Sequence, residues 1–504
     1  MAGFLNTLDS FFWGTPYLVF LLFIGIYFTL GSGFFQATHF GHIMKNTLGS
    51  LAAGKNKKAE KGKISPFEAM CVALGSCVGT GNIAGVASAV GLGGPGAVFW
   101  LWVWAVLGMM VKCVEATLGC YYRSHDENGN YYGGATYFIE KGIKKEKGLK
   151  IGGFLAGAFA LGFFCQFLGG SQAYNVSEIL EQSFGINRIL FTVLYSFLLW
   201  YLIWKGTPRI AKFASKLVPF MTLLYIAGGI GIIAININAV PNVFYMIFHD
   251  AFTGTAAVGG FVGVGVSKAI KTGIARSMSS NGAGGGASPF IHGSADTVHP
   301  MRQGLWASFE VFADTIIVCS ITAFACLCTG AWKTGAVGAT LAVNSYEIVY
   351  GRFGLYFMGF MAFLFAITTT TGWFAFYCGV ITYAFKNKPG LRDRLVMLFK
   401  LVYPIPNIVI VSYIVLSGSG PDLFWTIVNL VLVVPTFTNM LSILILRKKF
   451  WKIMADYKAR YMGIGKVDPD FYVFYEDDPV IAQEADEERR KITDMKKQEY
   501  AAKA

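Results

Sequence analysis

Charge is scarce in this chain. Asp, Glu, Lys and Arg make up 14% of 504 residues against 54% hydrophobic ones, which excludes a disordered polymer and exceeds what one water-soluble core could hide. The nine cysteines all fall in or at the ends of apolar runs, so no extracellular disulfide framework is visible, and Cys326 and Cys328 are too close for a zinc Cys-x-x-Cys; small packing residues are expected. Of six histidines only His39 and His42 are neighbours, with no Cys or acid beside them, and all six, including His292 and His299, read as loop or interface residues.

Other absences exclude further classes. Residues 1–15 hold no Lys or Arg, and the apolar run that follows exceeds the roughly 7–15 residues of a signal core, so it is expected to be retained. Gly79-Thr80-Gly81-Asn82-Ile83-Ala84 fits the loose dinucleotide pattern, yet no strand precedes it and no acid follows about twenty residues on. Paired catalytic carboxylates, metal-ligand spacing and a nucleophile with its base are also missing, which leaves a membrane-embedded enzyme as the weakest class.

What is present is a series of apolar runs: 17–35, 67–92, 97–122, 151–180, 189–204, 217–237, 252–266, 304–329, 353–385, 395–416 and 423–446. They predict an all-α integral membrane protein of about 11 transmembrane helices. With the N-terminus outside, the inward loops collect 24 Lys and Arg, from Lys45 to Arg394, and the outward loops only Arg188, Lys333 and Arg352. That asymmetry puts the C-terminus in the cytoplasm of a cell-membrane protein. The net charge of +13 is thereby assigned to anionic lipid rather than nucleic acid. The tail 447–504 opens with Arg447-Lys448-Lys449-Phe450-Trp451-Lys452, which suits an interfacial helix with a mobile end. No sequence feature speaks to oligomeric state.

Glycine is concentrated where a spanning helix should be continuous, at Gly75, Gly79, Gly81 and Gly85. A helix-interior glycine costs roughly 1 kcal/mol relative to alanine, and backbone groups released in hydrocarbon must find partners, so this break should face a ligand or cavity. A second glycine cluster lies at 254–265. Setting the first span aside, each cluster opens one of two groups of five spans, and groups of odd number insert with opposite orientation. The domains expected are 1–65 (extra helix and basic loop), 66–237 and 238–446 (inverted repeats), and 447–504 (tail).

Gly79-Thr80-Gly81-Asn82-Ile83-Ala84-Gly85-Val86-Ala87, followed by Gly93-Gly94-Pro95-Gly96-Ala97 and Phe99-Trp100, resembles the signature of the alanine or glycine:cation symporter family. The resemblance continues in order through Gly273-Ile274-Ala275-Arg276, Ser280-Asn281, His299-Pro300-Met301-Arg302-Gln303-Gly304, Phe312-Ala313-Asp314-Thr315 and Gly372-Trp373. It implies sodium-coupled uptake of a small amino acid, alanine or glycine, by a 5+5 inverted repeat of the leucine-transporter type with two broken helices. Sodium would be a co-transported substrate, and no cofactor is implied. Departures occur at Ser280-Asn281-Gly282-Ala283-Gly284, where the family usually has Glu at the third place, and at Gln172-Ala173-Tyr174-Asn175, where it tends to read Gln-x-Asn.

The residues themselves suggest roles. Unpaired N–H groups at the start of the half-helix near Asn82, with its positive dipole end, suit a substrate carboxylate held by Gly79, Thr80, Gly81 and Asn82. Carbonyls just before the break, at Gly75 and Val78, suit sodium. Thr368-Thr369-Thr370-Thr371 offers hydroxyls, of which the resemblance selects Thr368 and Thr369; the alternative is bonding back to their own helix. Trp373 suits a pocket wall or plain packing, and Gln172 a substrate contact or an interhelical bond. Gly259, Gly260 and Phe261 would receive the amino group and side chain. Asp314, about 15 Å into its span, suits ion or proton coupling or a bond to a neighbouring helix, and Lys112 with Glu115 a mutual pair. The alternatives in function are a proton-coupled amino acid symporter or a passive channel.

Overall fold

The computed structural model describes residues 2–52, 63–126, 129–169, 171–253, 262–418, 422–476, 481–483, 486–487 and 490. After a short helix (Ala2–Phe12) come α1 (Thr15–Gly31), α2 (Pro66–Cys77), α3 (Val86–Gly93), α4 (Gly96–Tyr121), α5 (Ile151–Cys165), α6 (Ser171–Phe184), α7 (Arg188–Ile203) and α8 (Thr207–Ile235). Next are α9 (Val240–Thr253), α10 (Val262–Asn281), α11 (Pro300–Cys328), α12 (Gly338–Tyr350), α13 (Arg352–Ala384), α14 (Pro389–Ser417, with a turn at Tyr403), α15 (Asp422–Ile445) and α16 (Arg447–Tyr461). A two-residue antiparallel pair, Ser124–His125 with Tyr131–Tyr132, follows α4.

Six helices among the described residues are long and apolar enough to cross a membrane, or up to eight if two bent pairs each count as one span; α1 and α7 are shorter apolar helices. The 26 residues of α4 rise about 39 Å, more than a ~30 Å hydrocarbon layer.

The first bent pair carries the break. Ser65 starts α2 with a reciprocal capping box to Glu68 and a proline in the first turn, so this end is fixed by its own side chains. The helix stops at Cys77, Gly81–Gly85 forms a wide turn, and the axis bends by 51° before α3 continues. A second break follows α10. Gly282, Gly284 and Gly286 have φ of +64°, +97° and +69°, a region that glycine enters without a Cβ penalty, and helix resumes only at Pro289–His292.

The second interruption thus lies at 282–288, whereas the glycine-rich stretch chosen from sequence falls largely on 254–261, outside the described residues. The direction of α10 also changes the charge placement. A Cβ on Gly93 would lie 3.4 Å from Ala269 Cα and 3.3 Å from Thr272 Cβ, so Lys268, Lys271 and Arg276 belong with the end of α4 opposite Arg123. Moving those three across leaves 21 basic residues against 6, and the asymmetry survives.

The described part of the tail is docked rather than free. Phe450 and Trp451 of α16 pack on Phe28 of α1, the Tyr475 N–H donates to the Tyr121 carbonyl, and Arg123 lies 3.9 Å from the Phe474 ring. Helix contact elsewhere depends on missing side chains. A Cβ on Gly273 would sit 2.3 Å from the Ala97 carbonyl oxygen and 2.8 Å from Trp100 Cβ, whereas nothing lies within 4 Å of one on Gly157. Gly273→Val is therefore expected to lower the thermal midpoint in detergent by an amount equivalent to about 1–3 kcal/mol, with Gly157→Val close to wild type.

Candidate transport site

Where α2 ends, its last carbonyls turn toward α13. The Thr369 hydroxyl donates to the carbonyls of Gly75 (3.0 Å) and Val78 (3.3 Å), and the Trp373 indole N–H donates to Ser76 O at 3.1 Å. Gly372 allows this approach, since a Cβ there would lie 2.8 Å from Ser76 Cβ and 3.2 Å from Val72 O. Trp373 is half-buried and stacks on Phe163 with ring centroids 5.5 Å apart.

Past the break, donors replace acceptors. The Thr80 N–H and hydroxyl both donate to Gln172 Oε1, at 3.1 and 2.8 Å, and Asn175 Nδ2 donates to Thr80 Oγ1 at 3.0 Å. Gln172 and Asn175 share one face of α6 because three residues make nearly one helical turn. Gly79 N–H donates to Asn82 Oδ1 at 2.9 Å. Gly81 is open, with nothing within 4 Å of the place a Cβ would take. Gly81, Ala84, Gly85 and Ser88 form a half-buried stripe at helical spacing, facing a cavity rather than the packed core.

Asn82 itself points away from that opening. Its Nδ2 donates to Asp314 Oδ1 at 2.7 Å, and its carbonyl accepts from Thr322 Oγ1 at 2.9 Å. Asp314 Oδ2 also accepts from Ser280 Oγ (2.9 Å), one residue before the end of α10, and from Thr315 Oγ1 (2.7 Å). This fully buried carboxyl therefore joins the two broken helices to α11, and the bond to neighbouring helices is the role its geometry displays.

A second buried cluster lies beside both breaks. Lys112 on α4 donates to Glu310 on α11, to the Asn281 carbonyl and, at 3.1 Å, to Cys77 Sγ. The pairing with Glu115 expected from their spacing is not formed, since Glu115 accepts from Asn439 Nδ2, which also donates to Gly284 O. His292 is no surface loop residue either: it is fully buried, 3.3 Å from Glu310 Oε2 and 2.8 Å from Gln303 Oε1. His299 is equally buried, against Asp456.

The structure thus brings together Gly75, Val78, Gly79, Thr80, Gly81, Asn82, Gln172, Asp314, Thr369 and Trp373. Thr368 is adjacent, its Cβ 3.4 Å from the Cβ position of Gly75, but its hydroxyl donates within its own helix to Leu364 O (2.9 Å) and Phe365 O (3.0 Å). Gly259, Gly260 and Phe261 lie outside the described residues. Asn175, Ser280 and Thr322 were not chosen from sequence. Only Asn175 carried a signal, its i, i+3 spacing from Gln172.

A model of the sodium:alanine symporter family matches residues 1–470. The chain is similar to an uncharacterised transporter of Haemophilus influenzae, 37% identical over 92% of this chain and 98% of that protein. It is 35% identical to a sodium/alanine symporter of Methanococcus maripaludis, over 88% of this chain and 94% of the relative. It is 33% identical to a probable sodium/glutamine symporter of Bacillus subtilis, over 91% of each. Among solved structures, the substrate-bound outward-open state of a Na+-coupled sialic acid symporter is alike in fold, with a TM-score of 0.51 at 15% identity, covering 92% of this chain and 93% of that one.

Asp314→Ala would strand the Asn82 amide and the Ser280 and Thr315 hydroxyls in a buried site. It is expected to cost at least about 2 kcal/mol, measured as loss of thermal stability in detergent, with Asp314→Asn closer to wild type.

Proposed function

This chain belongs to the sodium:alanine symporter family, and from that premise we propose that it carries a small neutral amino acid, alanine or glycine, into the cytoplasm with sodium by alternating access. Membership makes it a multi-pass membrane transporter of an amino acid:cation symporter type rather than an enzyme, with sodium as a co-transported ion.

The observation that carries the proposal is the change of polarity across 78–81. On one side, Gly75 and Val78 present carbonyl oxygens, now joined by the Thr369 hydroxyl. A helix C-terminal end is the negative end of its dipole, and hydroxyl and carbonyl oxygens are the ligands a hard cation takes. When sodium enters, the Thr369 proton turns away and its lone pairs join the two carbonyls. Thr368 Oγ1, whose proton is committed to its own helix, keeps lone pairs for the same ion.

On the other side, Thr80 aims an N–H and an O–H at one oxygen, that of the Gln172 amide. A substrate carboxylate takes that oxygen's place, with the backbone of Gly79 and the open Gly81 beside it. Asn82 contributes by shaping the turn, held by Asp314, and coupling acts on Asp314 through that bond. Trp373 bounds the side-chain space and favours a short side chain. The glycine-rich main chain at 282–288 takes the second-break role expected of Gly259, Gly260 and Phe261.

The architecture that fits is about eleven spans, an extra N-terminal helix before two inverted groups of five, the first opened by α2–α3 and the second by α10 with its break. The basic asymmetry of 21 against 6 supports an external N-terminus and a cytoplasmic C-terminus in the cell membrane.

Proteoliposomes holding the full chain should accumulate labelled alanine or glycine uphill only under an inward sodium gradient. Equal uptake with and without that gradient rejects sodium coupling, and uptake driven by a proton gradient alone favours the proton reading. Thr369→Val should raise the sodium concentration for half-maximal uptake by about tenfold or more, a loss of roughly 1.4 kcal/mol of binding. Gln172→Glu, which puts an anion against the Thr80 donors, should raise half-saturating alanine by at least about tenfold and leave sodium dependence less affected.

A further inference from the structure

Two helices stop in mid-span, so two C-terminal ends lie inside the protein with carbonyls unpaired by their own helices. Both are negative dipole ends, and each favours a cation. One is the end of α2, where Gly75 O and Val78 O meet a neutral hydroxyl, that of Thr369. The other is the end of α10 at Asn281.

The α10 end already has its cation. Lys112 Nζ donates to the Asn281 carbonyl, to the Glu310 carboxylate and to Cys77 Sγ, the last residue of α2. An ammonium has three donors, and three acceptors take them. Lys112 and Glu310 are both fully buried, so no donor is left for water or substrate. Glu310 is held in turn by Ser288 Oγ at 3.4 Å and by His292 Nε2 at 3.3 Å, from the far side of the second break. Gly282, the first residue of that break, leaves room for the ammonium: a Cβ there would lie 4.0 Å from Lys112 Nζ and 3.5 Å from Cys77 Sγ. A carboxylate, a main-chain carbonyl and a half-helix end would otherwise make a hard-cation site.

We propose that the Lys112 ammonium is a built-in cation occupying the second helix-end position, so that each transport cycle has one free cation site, at Gly75, Val78 and Thr369, and moves one positive charge per zwitterionic amino acid. This rests on the sodium-symport reading above, of which it fixes the stoichiometry. The ammonium is covalently tethered and fully paired, so it does not exchange with the solution. Only the hydroxyl-capped end can gain and lose an ion.

The test is the charge moved per alanine, read as the voltage that just stops net alanine flux through the full chain in proteoliposomes with fixed gradients. The reading works whichever ion is coupled. One charge per alanine is expected, with sodium dependence that saturates without a lag at low concentration; two charges overturn the proposal. If sodium gradients prove inert but one charge of another ion moves, the sodium reading fails and this assignment stands.

Lys112→Met leaves Glu310 and Asn281 O without their cation, so a second sodium should be recruited: sodium dependence becomes sigmoidal and the charge ratio rises above one. The double variant Lys112→Met/Glu310→Gln removes both charges together and should return both readings to wild type. A folded Lys112→Met protein with wild-type ratio and sodium dependence overturns the assignment. If that variant does not fold, the wild-type charge ratio still decides.

Discussion

A main-chain N–H or C=O released from a helix in the middle of a bilayer must find another partner inside the protein, because hydrocarbon offers none. This chain breaks two helices, and much of what surrounds them follows from the partners they then require. The first break finds Thr369 and Trp373 on α13, Gln172 and Asn175 on α6, and Thr322 on α11. The second finds Lys112 on α4 and Asn439 on α15. Glycines at Gly273 and Gly372 let helices come close enough for such bonds to form.

The partners divide by charge. The segment 78–81 is met by neutral groups, a hydroxyl and an amide, which suits a place where substrate and ion must replace them. Charged side chains instead bind the breaks to each other: Asp314 receives Asn82 from one and Ser280 from the other, and Lys112 touches both Cys77 and Asn281. In each case the carboxyl or ammonium has its hydrogen-bonding capacity met, as a buried ionisable group requires.

Much of the first break was legible in the sequence, because glycine inside an apolar run signals backbone that cannot remain helical unaided. The second was misplaced for a related reason. The glycines at 254–265 lie in an apolar run and drew attention, while Gly282, Gly284 and Gly286 stand among polar and small residues and declare themselves only through positive φ. Spacing could suggest Glu115 for Lys112 but could not find Glu310, 198 residues away. In the Thr368–Thr371 run, composition supplied four hydroxyls; which one leaves its own helix depends on the rotation of α13 against α2, a tertiary fact. The tail looked mobile from its mixed charge, yet aromatic residues as far as Tyr475 are packed on the body.

The two kinds of contact around the first break differ in strength. A neutral hydrogen bond contributes about 0.5–1.5 kcal/mol net, and one to a charged group about 1.5–3. Under any force that separates the helices, Thr369 and Gln172 therefore let go before Asp314 or Lys112 does. The protein has a built-in slip plane: α2, α3 and α10 travel as one welded block with α4 and α11, and α6 and α13 slide past it.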